Sequence, residues 1–227
     1  MSIAQRLNLI RSRIAEAAAK AGRDPLTVRL VAVSKTRPAD DVVAACRAGQ
    51  VIFGENYVQE LTAKAAGIQE PLEWHFIGHL QSNKVRQIVG LVTMIHSVDR
   101  LSLAEEIDRQ WGKEGLCCDV LIEVNIAGEE SKSGTTAREV SELVRRVSIL
   151  PHVRIRGLMT MPPFFDDPEG ARPYFRELRR LAEEIAAERI PGVEMTELSM
   201  GMSGDFEAAI AEGATIVRVG TAIFGER

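Results

Sequence analysis

The sequence predicts one α/β domain over residues 1–227: a single (β/α)8 TIM barrel with an extra helix at its N-terminus. Three observations carry that expectation. Eight short apolar segments recur along the chain, a helical pattern fills nearly every gap, and together they use almost all of the 227 residues. Alternating β and α segments build a parallel sheet, and eight such units suit a compact barrel of typically ~250 residues. An open doubly wound sheet is the competing architecture. It often carries a Gly-rich first turn, whereas the first turn here reads VSKTRP, with no G-x-G-x-x-G.

Ile3, Leu7, Ile10 and Ile14 recur at spacings of four, three and four. Ala17, Ala18 and Ala21 extend the stripe, and Gly22 and Pro25 end this amphipathic helix. The segment RLVAVS (29–34) is rich in Val and bounded by turn residues, so it reads as a buried strand. Further strands are expected at 51–54, 73–77, 92–97, 119–126, 154–159, 195–199 and 215–219. Helices are expected near 39–48, 56–67, 81–89, 100–114, 135–149, 168–189 and 204–212. VLIEVNI (120–126) and TIVRVG (215–220) are mostly apolar, as strands covered on both faces are. Pro162-Pro163 marks a loop after the sixth strand, because the alternation resumes beyond it.

Lys+Arg 28 against Asp+Glu 32 leaves a net charge of −4. No basic surplus exists to neutralise phosphates, so nucleic-acid binding is not expected. No apolar run approaches the ~20 residues that cross a bilayer, and no membrane association is expected. The N-terminal segment spreads its charges and reads as a retained helix, not a signal peptide. Cys46, Cys117 and Cys118 are odd in number, two are adjacent, and no C-x-x-C occurs. They are expected to be buried free thiols of a cytoplasmic protein.

In such a barrel the site lies where strands end and βα loops begin. The strand ends read Ser34-Lys35-Thr36, Gly54-Glu55-Asn56, Gly78-His79, Asn125, Met159-Thr160-Met161, Ser199-Met200-Gly201-Met202-Ser203 and Arg218-Val219-Gly220-Thr221. Polar groups and glycines crowd one end, as a ligand site requires. A strand period of two puts Val31, Val33 and Lys35 on one side. Lys35 therefore either snorkels to water or is held as a nucleophile. SMGMSG (199–204) opens a helix near Asp205, and Gly220-Thr221 follows strand eight. Loops at these two positions commonly bind phosphate. Arg218 shares a face with Ile216 in an apolar strand, where an unpartnered guanidinium is costly. It either pairs with a carboxylate such as Glu123 or Glu197 or donates to a ligand. His75 reads as a core residue and His79 as a residue of the site face. His96 and His152 show no constellation, and no metal site is expected.

Eight stretches run in order through the chain: LVAVSKTRP (30–38), FGENYVQE (53–60), WHFIGHLQSNK (74–84), SVDR (97–100), NIAGEESKSG (125–134), RGLMTM (156–161), LSMGMSGDFEAAIAEGAT (198–215) and VRVGTAIFG (217–225). In them the chain resembles the pyridoxal phosphate homeostasis proteins, which look like the barrel domain of alanine racemases. The resemblance implies that Lys35 carries pyridoxal 5′-phosphate (PLP) covalently as an aldimine. It implies Ser203, Gly220 and Thr221 on the phosphate, with Ser199, Met200 and Gly201 helping from the same turn. Arg218 should face the pyridine nitrogen, Asn56 should lie beside the cofactor, and His79 should form part of the pocket wall.

An arginine cannot take up a proton, so it leaves the ring nitrogen neutral and the ring a weak electron sink. That disfavours transamination. A two-base racemase needs a second acid/base group opposite Lys35. In alanine racemases this is a tyrosine from a second domain, whereas here the barrel is expected to use the whole chain. Tyr57 and Tyr174 stand in no motif resembling that tyrosine. The implied function is noncatalytic buffering or delivery of PLP in vitamin B6 homeostasis. Apo PLP-dependent enzymes are the expected acceptors and a monomer the expected state. A racemase of low or unusual specificity is the alternative. Lys132, in the loop after strand five, reads as a solvated charge or as a group that meets the anionic cofactor on its way in or out.

Overall fold

Ser2 opens α1 (Ile3–Lys20) with a capping box, its hydroxyl accepting from Gln5 N–H and Gln5 Oε1 accepting from Ser2 N–H. Leu7, Ile10, Ile14 and Ala18 then bury one stripe of the helix. The computed structural model describes residues 1–129 and 132–226, so Glu130 and Ser131 of the Lys132 loop lie outside the described residues, as does Arg227. After α1 come β1 (Arg29–Val33), α2 (Ala39–Arg47), β2 (Ile52–Glu55), α3 (Val58–Gly67), β3 (Glu73–Phe76), β4 (Met94–Val98) and α4 (Leu101–Lys113). There follow β5 (Cys118–Asn125), β6 (Thr135–Thr136), α5 (Val140–Val147), β7 (Val153–Met159) and α6 (Arg172–Ala187). The chain continues through β8 (Val193–Ser199), α7 (Phe206–Ala211), β9 (Ile216–Val219) and α8 (Thr221–Phe224).

β1 pairs with β2 on one side and with β9 on the other, and the β4–β5 pairing closes the ring. The result is a closed parallel barrel of eight strands, with β6 a two-residue addition on β5. The alternation of side chains divides the core in two. Val31, Met94, Leu121, Met159 and Ile216 cluster inside the barrel, with Ile52 packed against them. Ala32, Phe53, Phe76, Ile95, Val120, Leu158 and Val219 face outward into a larger core under the helices. The same alternation puts His75, His96, Glu123, Ser199 and Arg218 in phase with the inner set.

All eight expected strands are present, with ends within two residues of those read from the sequence. The helical gaps differ more. Residues 82–87 form a 3-10 turn instead of an α-helix, where Ser82 and Asn83 are weak helix formers. The expected helix at 135–149 starts only at Val140, because Thr135 and Thr136 pair with β5. The expected helix at 168–189 is split into a 3-10 turn, Pro168–Ala171, and α6. Pro173 sits in the first turn of α6, where a missing N–H costs nothing. Cys118 is buried and Cys46 half-buried, but Cys117 is exposed, contrary to the expectation of three buried thiols. It lies one residue before β5 and has not entered the barrel wall. Among the described residues no helix is long and apolar enough to cross a membrane.

Candidate functional site

Parallel strands deliver all their C-terminal ends to one mouth. Val33 lies opposite Gly54, so two residues further on Lys35 and Asn56 leave the sheet side by side. Lys35 is half-buried in the turn after β1. Ser34 has the opposite phase and lies between the barrel and α3. Its Oγ donates to Glu55 Oε1 at 2.7 Å, and Lys64 Nζ donates to the same oxygen at 2.6 Å and to Ser34 O at 2.7 Å. Lys64 also reaches Glu60 Oε2 at 3.3 Å, and that oxygen accepts Thr36 N–H at 2.6 Å. Thr36 has φ +62°, an unfavourable value for a β-branched residue, and the Glu60 bond holds it there. Gly78 is fixed by a close approach of backbone. A Cβ on it would stand 2.3 Å from Asn56 O, so only glycine lets the end of β3 lie against Asn56.

On the other side of β1, Arg218 lies opposite Val31. It is only 4 % exposed. Nη1 donates to Ser199 Oγ at 2.6 Å and Nη2 to Thr160 O at 3.0 Å. Neither expected carboxylate forms an ion pair with it among the described residues. Glu197 instead pairs with Arg29 at 2.7 Å, and Glu123 acts on Arg218 only through space. Burial pulls Arg218 down to about 10, while Glu123 and Asp205 oppose the shift, so it stays charged at neutral pH.

Ser199 Oγ also meets His96 Nδ1 at 2.9 Å, and His96 Nε2 meets His75 Nδ1 at 2.9 Å. His96, which showed no constellation in the sequence, is thus fully buried in a polar chain. Its inward phase on β4 was the one available signal. Burial keeps both imidazoles neutral, His75 falling to about 3.

The loop after β8 and the turn after β9 are joined. Gly220 N–H donates to Ser203 Oγ at 3.2 Å, and Arg218 N–H donates to Gly201 O at 3.0 Å. Gly201 has φ +92°, and a Cβ there would sit 2.6 Å from Ala209 Cβ, so glycine is required on both counts. Met200 turns its side chain into the core and gives its N–H to Ile216 O, shaping the turn without presenting a donor. Thr221 is the first residue of α8, where N–H groups have no intrahelical acceptor. Such N–H groups beside the Ser203 and Thr221 hydroxyls suit an anion.

A cleft of about 690 Å³ opens beside these groups, lined by Asn56, His79, Glu123, Met161, Phe165 and Asp205 among others. Asn56 Oδ1 is buried with no partner among the described residues. His79 Nδ1 lies 3.1 Å from Ser133 Oγ on the far wall. Asn125 donates to Glu129 O and accepts from Gly128 N–H, which folds the loop that carries Lys132. Lys132 Nζ pairs with Glu129 Oε1 at 3.0 Å on the rim.

Residues 6–227 match the family model described as alanine racemase, N-terminal domain. A pyridoxal phosphate homeostasis protein of Aquifex aeolicus is 46 % identical over 228 residues, covering 100 % of this chain and 99 % of its own. The chain belongs to the pyridoxal phosphate homeostasis protein family. Among solved structures, an unknown protein from Bifidobacterium adolescentis matches with TM-score 0.93 and 41 % identity, over 97 % of this chain and 94 % of that one. PipY of Synechococcus elongatus PCC7942, solved with PLP bound, matches with TM-score 0.87 and 39 % identity, over 99 % and 100 %.

Of the positions that resemblance to this family singled out, Lys35 and Asn56 follow adjacent strands, Ser203 meets Gly220 beside Thr221, Asn56 and His79 line the cleft, and the Arg218 guanidinium is buried on Ser199 and Thr160. Ser199 spends its hydroxyl inside the barrel, on Arg218 and His96. Glu123 was not singled out for the site, yet it lines the cleft. Burial and the neighbouring Asp99 raise it from 4.5 to about 7, against the pull of Arg218. Between those two pH values the folded chain holds more protons than the unfolded one, so stability falls as pH rises. Glu123→Gln removes that dependence. The cofactor-free variant is expected to gain on the wild type as pH rises from about 5 to 8, by up to about 3 kcal/mol. Thermal unfolding of both proteins across that range checks it, and parallel curves would refute it.

Proposed function

We propose that the protein is a noncatalytic carrier of PLP, holding the cofactor covalently on Lys35 Nζ and buffering or delivering it in the cytoplasm. The observation that carries this reading is the meeting of three donor sets at one mouth. Lys35 offers a primary amine, Ser203, Gly220 and Thr221 form an anion cradle, and Arg218 brings a buried charge. The three match an aldehyde, a phosphate and a ring nitrogen that accepts a hydrogen bond. Asn56 Oδ1, buried and unpaired, has an acceptor to offer the same ligand. The PLP-bound relative PipY supports the choice of ligand.

When bound, PLP supplies an electrophilic aldehyde and an electron-accepting ring. Arg218 would donate to the ring nitrogen without giving up a proton, which would leave the ring a weak sink. Tyr57 is 53 % exposed just before α3, and Tyr174 packs beside Phe165 at 5.7 Å in the first turn of α6. Neither stands in a stretch that resembles the second acid/base tyrosine of the racemases. The carrier acts as a monomer, and apo PLP-dependent enzymes accept its cargo. Lys132, on the rim, meets the anionic cofactor as it arrives or leaves. Sustained racemisation of amino acids by the purified, PLP-loaded protein would overturn the carrier reading in favour of a racemase.

The cradle gives its own expectation. Hydrogen bonds to charged groups contribute ~1.5–3 kcal/mol each. Ser203→Ala and Thr221→Ala are each expected to weaken PLP binding about tenfold or more, the lower end of that range. Pyridoxal without its phosphate is expected to bind far more weakly than PLP. Equilibrium titration of both vitamers is the check, and equal affinities would rule out a phosphate-centred site.

A further inference from the structure

Arginine is a donor only. Its bond from Nη1 occupies a lone pair of Ser199 Oγ, at 2.6 Å, and that hydroxyl has one other partner among the described residues, His96 Nδ1 at 2.9 Å. Ser199 is fully buried, so its proton is left unsatisfied unless it points at His96. His96 Nδ1 is then an acceptor, and the neutral ring carries its proton on Nε2, which donates to His75 Nδ1 at 2.9 Å. His75 in turn is protonated on Nε2. Each link dictates the next, and the direction of the whole chain is set by the arginine at its end.

The second anchor of Arg218 is equally fixed. Nη2 donates to Thr160 O at 3.0 Å, and the Thr160 hydroxyl donates to Val124 O at 2.8 Å. Both groups that receive Arg218 are neutral. The charges that act on His96 are those of Arg218 and Arg29, and His75 is its neutral neighbour. A cationic imidazolium beside them is disfavoured, and so the chain persists as drawn.

The geometry points to His96 as a positioning residue: through Ser199 it holds the buried Arg218 guanidinium in one orientation, with neutral partners that leave its charge for the ligand. This rests on the reading that Arg218 faces the ring nitrogen of PLP, and it fits the observation that among the described residues Arg218 forms no ion pair, Glu123 and Asp205 acting on it only through space.

Two measurements test it. In the cofactor-free wild type, nitrogen-15 NMR of the imidazoles is expected to show His75 and His96 as Nε2–H tautomers that do not titrate at neutral pH. A proton on His96 Nδ1, or a titrating His96, would overturn the chain without any reference to PLP. In the loaded protein, His96→Asn keeps an acceptor near the Nδ1 position, while His96→Phe keeps the ring and loses the acceptor. The Phe variant is expected to lose about tenfold in PLP affinity and to shift the visible band of the bound cofactor, the Asn variant to stay within about threefold. A Phe variant with wild-type affinity and spectrum overturns the positioning role. If the wild type itself takes up no PLP, the carrier reading falls, and the tautomers still decide whether the chain holds Arg218.

Discussion

Borohydride reduction of the PLP-loaded protein is expected to fix the cofactor to the peptide containing Lys35, and Lys35→Ala is expected to abolish that adduct and the yellow colour. The chain has six lysines. Lys64 is committed to a buried ion pair with Glu55 at 2.6 Å. Lys20 and Lys113 are the last residues of α1 and α4, and Lys84 lies in the 3-10 turn after β3. Lys35 and Lys132 remain at the mouth, and only Lys35 leaves the sheet beside Asn56 and the strand that bears Arg218. Lys35 is half-buried in the turn after β1, outside the strands that wall the core. Its removal is therefore expected to change the stability of the cofactor-free protein by less than about 1 kcal/mol. Peptide mapping after reduction and thermal unfolding of the apo variant measure the two halves of the prediction. A reduced adduct found mainly on Lys132 would move the covalent site there.

Lys64→Met is expected to be among the most damaging single substitutions outside the apolar core. The Lys64 side chain is 8 % exposed and the Glu55 side chain is fully buried, so the pair has little contact with water. Removing the cation leaves Glu55 beside Ser34 with no counter-charge, while Ser34 O keeps one donor, the Arg37 N–H at 3.0 Å. Breaking a buried pair in this way costs about 3–5 kcal/mol, a fall in Tm of roughly 6–20 °C for a chain of this size.

Burial already raises Glu55, and loss of Lys64 raises it further. A raised carboxyl holds its proton in the folded state, so the damage is expected to be smaller at acid pH and to grow as pH rises. A second variant separates charge from packing. Lys64→Met combined with Glu55→Leu leaves no orphan charge and is expected to recover most of the loss. A loss below about 1 kcal/mol in the single variant would show that water reaches Glu55. Because Lys64 and Glu60 also hold the Ser34–Thr36 turn, the single variant is expected to load PLP more weakly even where it remains folded.

The barrel was legible because its signals are local. β1 and β9 show as runs of apolar residues bounded by turn residues, and the period of two that buries Val31 and Ile216 also aims Lys35 and Arg218. Gly201 and Gly220 could be found at their strand ends because such turns demand glycine from their own backbone geometry or close approach. Lys35 needed only its place two residues after Val33. The 3-10 turn at 82–87 and the split before α6 were less legible, since short helical patterns read alike until packing selects among them.

What the tertiary structure alone decided is which polar side chains meet. His96 and Ser199 are 103 residues apart, Glu55 and Ser34 are 21 apart, and Lys64 reaches both from a separate helix. A sequence shows each as a single polar residue in an apolar element, the ordinary mark of either a ligand contact or a satisfied core group. Arg218 was open to both readings, and the structure gave it Ser199 and Thr160 in place of Glu123 or Glu197. The difference lies in closure of the ring. Once β4 and β5 pair, residues of one phase from distant strands share an interior a few side chains wide, and each buried donor there must find an acceptor among them.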